Sequence, residues 1–217
     1  MSTLSSFIRA SAICTALALS APLFAAEPQH VHAAPAVPNK AAATQDALRD
    51  LWLGHVFWVR NVATNTFAGD TTAASAAEKQ VVANAEAIAG AIEPFYGKAA
   101  SEKLFNLLAG HYGAVKDHIT ATQAGNSEGQ KAAILKLTAN ANQIASFLAG
   151  ANPNLPENTL KGLLTAHGAH HVQQNLQLKA KQYEQEARTW TAMKDHMYVI
   201  ADALTAAIAK QFPEKFA

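Results

Sequence analysis

Three histidines recur at one fixed spacing, each preceded by the same two leucines: Leu48, Leu51 and His55; Leu104, Leu107 and His111; Leu160, Leu163 and His167. Leucines seven and four residues before a histidine put the ring on the apolar stripe of an amphipathic helix. Burial there favours the neutral imidazole, which is the form that binds transition metals. A buried ring nitrogen also needs a hydrogen bond or a metal, because an unpaired polar group in a core costs a few kcal/mol.

Other polar residues keep the same step. Asn84 and Asn140 are separated by that interval, and the next step lands on His196, inside Met193-x-x-His196-Met197. All of these lie near the middle of their helices, so in an antiparallel bundle they share one level. The ligand set this implies is His55, His111, His167 and His196, with Met193 or Met197 as a soft ligand. Asn84 and Asn140, with His118 and His171 behind them, would orient the rings. Four imidazoles without thiolates suit zinc, copper, nickel or iron, haem iron included, and neighbouring thioethers lean the choice towards copper. Arg60 and Lys116, five residues after His55 and His111, could hold an anion at the bundle rim. The competing reading is a structural or interaction module of the envelope, whose histidine–asparagine layer only specifies packing. Duplication copies a histidine whether or not it has work to do. His196 argues against that reading, since it is a histidine where the other two units carry asparagine.

Catalytic patterns are absent from the sequence. It contains no Gly-x-Ser-x-Gly elbow, no His-Glu-x-x-His, no phosphate loop, and no Glu three residues before any of the mid-helix histidines. The reading is a binding protein rather than an enzyme, its partner a metal ion or small ligand. Lys and Arg number 17 against 16 Asp and Glu, which gives no electrostatic footprint for nucleic acid.

The repeat sets the architecture. Gly54, Val59, Thr64, Thr66, Ala68 and Gly69 are each matched one interval further on, as are Ala85, Ile88 and Ala89. This predicts an all-α antiparallel bundle of about six helices, built as three 56-residue helical hairpins. The expected helices cover about 45–66, 73–92, 100–122 and 129–149, with a fifth starting near Glu157. Turns are expected at Gly69 and Gly125 and at a glycine-free position near 180–186. Pro94 with Gly97, Pro153 with Pro156, and Pro213 mark the other ends. Residues 1–26, with Arg9 ahead of the apolar run Ala10 to Leu19, read as a secretory signal. The mature chain would then be secreted or periplasmic, lacks the only cysteine, Cys14, and has no run long enough to span a membrane. Residues 27–44, with three prolines and with His30 and His32, read as a flexible leader, and 45–217 as one domain.

Leu51-Trp52-x-x-His55-Val56-x-Trp58-x-Arg60-Asn61 and the ending Lys210-Gln211-Phe212-Pro213-Glu214-Lys215-Phe216 resemble a family of small all-helical bacterial proteins. Members pair such a start with such an end, and the resemblance covers most of the mature chain. It implies the helical fold and puts weight on His55 and Arg60. It implies no chemistry.

Overall fold

The computed structural model describes residues 40–217, which form six α-helices: α1 (Lys40–Ala68), α2 (Thr71–Tyr96), α3 (Lys98–Gln123), α4 (Ser127–Ala151), α5 (Glu157–Lys179) and α6 (Tyr183–Gln211). A single 3-10 turn, Pro213–Lys215, follows. There is no strand among the described residues, and no helix there is long and apolar enough to cross a membrane. The signal segment and leader residues 27–39, with His30 and His32, lie outside the described residues.

Each helix packs against its neighbours in the chain, and α6 closes back on α1. The odd-numbered helices α1, α3 and α5 also pack against one another, so the three helices that carry the repeated histidines meet inside. Buried apolar residues fall into two clusters. The larger contains Leu48, Trp52, Val56, Leu104, Leu108, Leu160, Leu164, Met193, Met197 and Ile200; the smaller contains Val59, Val62, Val81, Val115, Ile119, Leu137 and Leu178. In α1, α3 and α5 the repeated histidine stands at the boundary between the two.

Three hydrogen bonds hold the helix pairs at that level. Asn84 Nδ2 donates to the Leu51 carbonyl at 2.9 Å, Asn140 Nδ2 to the Leu107 carbonyl at 2.9 Å, and His196 Nε2 to the Leu163 carbonyl at 2.8 Å. Donors and acceptors all advance by the interval of the repeat. The amides reach in because Gly54 and Gly110 lack a Cβ, which would stand 3.0 and 3.1 Å from the amide nitrogens of Asn84 and Asn140. The third unit has Ala166 at that place and a histidine opposite.

The turns repeat as well. Asp70 N–H donates to Asn65 O, Asn126 N–H to Ala121 O and Gln182 N–H to Gln177 O, the six-to-one bond that closes a helix through a left-handed residue. That residue is Gly69 (φ 83°), Gly125 (φ 68°) and, in the third unit, Lys181 (φ 57°). Asp70 and Asn126 then cap the following helices by accepting from Ala73 N–H and Gly129 N–H. The expected glycine-free turn is present, and α5 and α6 are separate helices.

Boundaries differ from expectation in two places. Helix α1 begins at Lys40, five residues before the expected domain start, because Ala41-Ala42-Ala43 favour helix. Helix α2 continues through Pro94 to Tyr96. A proline in the last turn removes only one ladder bond, and Gly97 N–H still closes the helix on Glu93 O.

A lysine in the left-handed region is strained where glycine is not. Lys181→Gly should therefore raise the unfolding free energy by about 1 kcal/mol, read from the denaturant midpoint at unchanged slope.

Candidate metal centre

His55 of α1, His111 of α3, and His167 and His171 of α5 converge at the boundary between the two apolar clusters. They are 3, 4, 3 and 2 % exposed. One ring nitrogen from each lies within 4.8 Å of the others, close enough to hold a metal ion. His167 and His171 are one turn apart on the same face of α5, a spacing that aims two imidazoles at one point.

The six ring-to-ring separations are nearly equal. His55 lies 5.7, 5.6 and 5.8 Å from His111, His167 and His171; His111 lies 5.2 and 5.8 Å from His167 and His171; the α5 pair is 4.6 Å apart. Four points so spaced are close to the corners of a tetrahedron. Imidazoles bound to a tetrahedral ion at about 2.0–2.1 Å would have centroids about 5.2 Å apart and nitrogens about 3.3 Å apart. His171 Nε2 and His167 Nε2 already stand 3.2 Å apart. The remaining pairs of ring nitrogens lie within 4.8 Å.

Hydrogen bonding leaves this cluster incomplete. The Nε2 atoms of His55 and His111 and the Nδ1 of His167 are buried without a partner among the described residues. Each such nitrogen costs on the order of 1–3 kcal/mol. Among the described residues no carboxylate joins the group. Burial, with the neighbouring His111 adding to it, pushes His55 down to about 3. Burial pushes His111 down to about 4, partly offset by Asn140 beside it. Burial, and then the crowding of the other rings, holds His167 and His171 well below the ordinary imidazole value. All four are neutral near pH 7, with lone pairs available to a metal.

The structure changes the expected membership. His171, assigned an outer role on sequence, is the fourth member. His196 is not: its Nε2–H is used by the Leu163 carbonyl, and its ring lies 5.6 Å from that of His170. The signal that would have found His171 is its four-residue spacing from His167. Met193 and Met197 are fully buried in the larger apolar cluster. Asn84 and Asn140 hold backbone carbonyls, and Asn140 also stands beside His111.

His118 faces a different set of groups. Its Nδ1 accepts from Asn175 Nδ2 at 3.1 Å, two turns along α3 from His111. The anion rim is corrected too. Arg60 is committed to a two-pronged ion pair with the buried Glu186 at 2.6 Å, and its guanidinium lies over Trp190; Gln174 donates to the same carboxylate. Lys116 pairs with Glu78. Neither cation is free for a ligand. Sequence reasoning missed Glu186 because a charged residue in the first turn of a helix ordinarily faces water.

Comparison with protein-family models, with characterised proteins and with solved structures finds no match for this chain.

The neutral cluster has a consequence for stability. Folding excludes protons that the unfolded chain binds below its ordinary pKa of 6.5, so the metal-free protein is fully stable above that pH and weakens as the pH falls from 6.5 towards 4 and 3. Each ring contributes a slope of up to about 1.4 kcal/mol per pH unit in that window. His111→Leu should flatten the unfolding free energy against pH by about that slope in chemical denaturation between pH 6.5 and 4. An unchanged slope would mean that the ring is not held neutral in the fold.

Proposed function

We propose that this chain is an exported binding protein that holds one transition-metal ion, copper or zinc, through His55, His111, His167 and His171. One observation carries the reading: four buried rings arranged as a near-tetrahedron, three of them with a ring nitrogen that finds no partner among the described residues. A layer serving only to fix packing would satisfy its own polar atoms. Asn84 and Asn140 place their Nδ2 donors, and His196 its Nε2–H, on carbonyls of the neighbouring helix. The Nε2 atoms of His55 and His111 have no partner of that kind among the described residues, and an ion at the centre of the four rings would supply one.

The secretory reading of residues 1–26 and the threefold plan support export and a three-hairpin antiparallel bundle. The three interhelical hydrogen bonds and the three turns, each advancing by the interval of the repeat, are consistent with that plan. Haem fits less well. An iron porphyrin bound between two of these rings would need a slot about 10 Å wide at right angles to them, and the other two imidazoles stand there. Zinc suits a closed four-coordinate site. Charge leans towards monovalent copper, because four neutral ligands leave the ion's full charge in a dry core, and that cost grows as the square of the charge. The second reading, a packing module of the envelope, is favoured by the asparagine half of the layer alone.

Titration of the purified protein with Zn2+ and with Cu(I), each against a competing chelator, should give one equivalent bound below micromolar. At a free-metal concentration about a hundredfold above Kd, the bound ion should add about 2.7 kcal/mol to stability. His171→Val, the residue that the first two units carry at this place as Val59 and Val115, should weaken binding at least a hundredfold while leaving a folded protein. Wild-type protein that binds neither ion below micromolar would reject the reading.

A further inference from the structure

The third unit carries histidines that the repeat does not account for. His170 corresponds to Trp58 and Ala114, His171 to Val59 and Val115, and His196 to Asn84 and Asn140. His171 belongs to the buried centre. The other two face each other between α5 and α6, with ring centroids 5.6 Å apart. Both are only partly buried, whereas the inner four are closed off.

We infer that His170 and His196 form an outer capture site for the same transition-metal ion, on the α5–α6 seam, from which the ion passes inward to the four-histidine centre. This rests on the metal-holding reading above. Two imidazoles sharing one ion place their centroids about 5.2 Å apart at a tetrahedral angle and about 6.4 Å apart when opposed. The observed separation falls between these, and the remaining coordination positions are open to water.

The tautomer of His196 is fixed by its partner. A carbonyl can only accept, so the proton is on Nε2 and the lone pair is on Nδ1. A ring held by one nitrogen through a backbone carbonyl, with the other nitrogen free, is the usual arrangement of a metal-ligating histidine. Asparagine performs the carbonyl bond equally well in the first two units. What histidine adds at 196 is the second nitrogen.

The pair also adjoins the centre. His170 neighbours His171 in the chain and is three residues from His167, and Leu163, which anchors His196, is one turn before His167. His196 is close enough for its charge to bear on His167, and His170 likewise on His171. Transfer is ligand exchange, one imidazole replacing another, with no change in the ion's charge.

The test uses substitutions that the repeat itself supplies. His196→Asn keeps the carbonyl bond, and His170→Ala restores the residue of the second unit. Loading of the full protein with Zn2+ and with Cu(I) from a chromophoric chelator should slow at least tenfold in either variant, with the affinity of the inner centre unchanged within twofold. In His111→Leu protein, Zn2+ should still shift the imidazole NMR signals of His170 and His196, and His196→Asn should abolish those shifts. Loading at the wild-type rate in both variants overturns the capture role, as does slowing produced instead by His118→Leu, which would place the route along α3. Shifts that persist while the wild-type centre binds no metal would retire the central reading and leave the outer pair as the metal site. Absence of those shifts overturns the pair whatever the centre does.

Discussion

The structure turns on four uncharged imidazoles gathered in a core that leaves three of their ring nitrogens without a partner among the described residues. All four are buried, no carboxylate among the described residues joins them, one nitrogen of each ring lies within 4.8 Å of the others, and three ring nitrogens have no partner among the described residues. An apolar bundle tolerates such a group only if a favourable partner offsets its desolvation or if the rest of the packing absorbs the cost. The surrounding core is suited to the second task. Two apolar clusters flank the histidine level, and each odd helix contributes leucines and valines on both sides of its ring. That leaves the centre enclosed by packed side chains, conditions under which a bound ion gains from four preorganised ligands.

Position in the repeated sequence separates the two kinds of polar residue in this layer. Asparagine on the even helices ties each helix to its partner through a backbone carbonyl, and glycine opposite gives it room. Histidine on the odd helices points inward, where α1, α3 and α5 meet. Three units supply three rings, and a tetrahedron needs a fourth. The fourth comes from within the third unit, one turn along α5. Three of the rings thus stand 56 residues apart in the sequence, and the fourth, His171, has no counterpart at that spacing. Further along α3 and α5, His118 bonds to Asn175, and Gln174 bonds to the Glu186 carboxylate that pairs with Arg60.

The helices and their turns are legible in the sequence because each unit announces them three times, by leucine stripes and by glycine or its substitute at the same offset. His55, His111 and His167 are legible for the same reason. The fourth member is not, because repetition is the guide and His171 has no copy. Placing His196 there instead makes the opposite error, a repeat position being taken to imply a common direction. Asn84 and Asn140 show what that position does, which is to bond sideways to a carbonyl rather than inward. Arg60 looks free because its partner, Glu186, lies 126 residues away, and no local pattern reveals a long-range ion pair.

The central claim is that an ion sits among four nitrogens. X-ray absorption at the metal edge of protein loaded with one equivalent, Zn2+ or Cu(I), addresses this without reference to stability or rate. The account requires a first shell of four nitrogen scatterers at about 2.0–2.1 Å with imidazole outer-ring scattering and no sulfur. A shell containing a thioether sulfur, or one dominated by water oxygens, would contradict it.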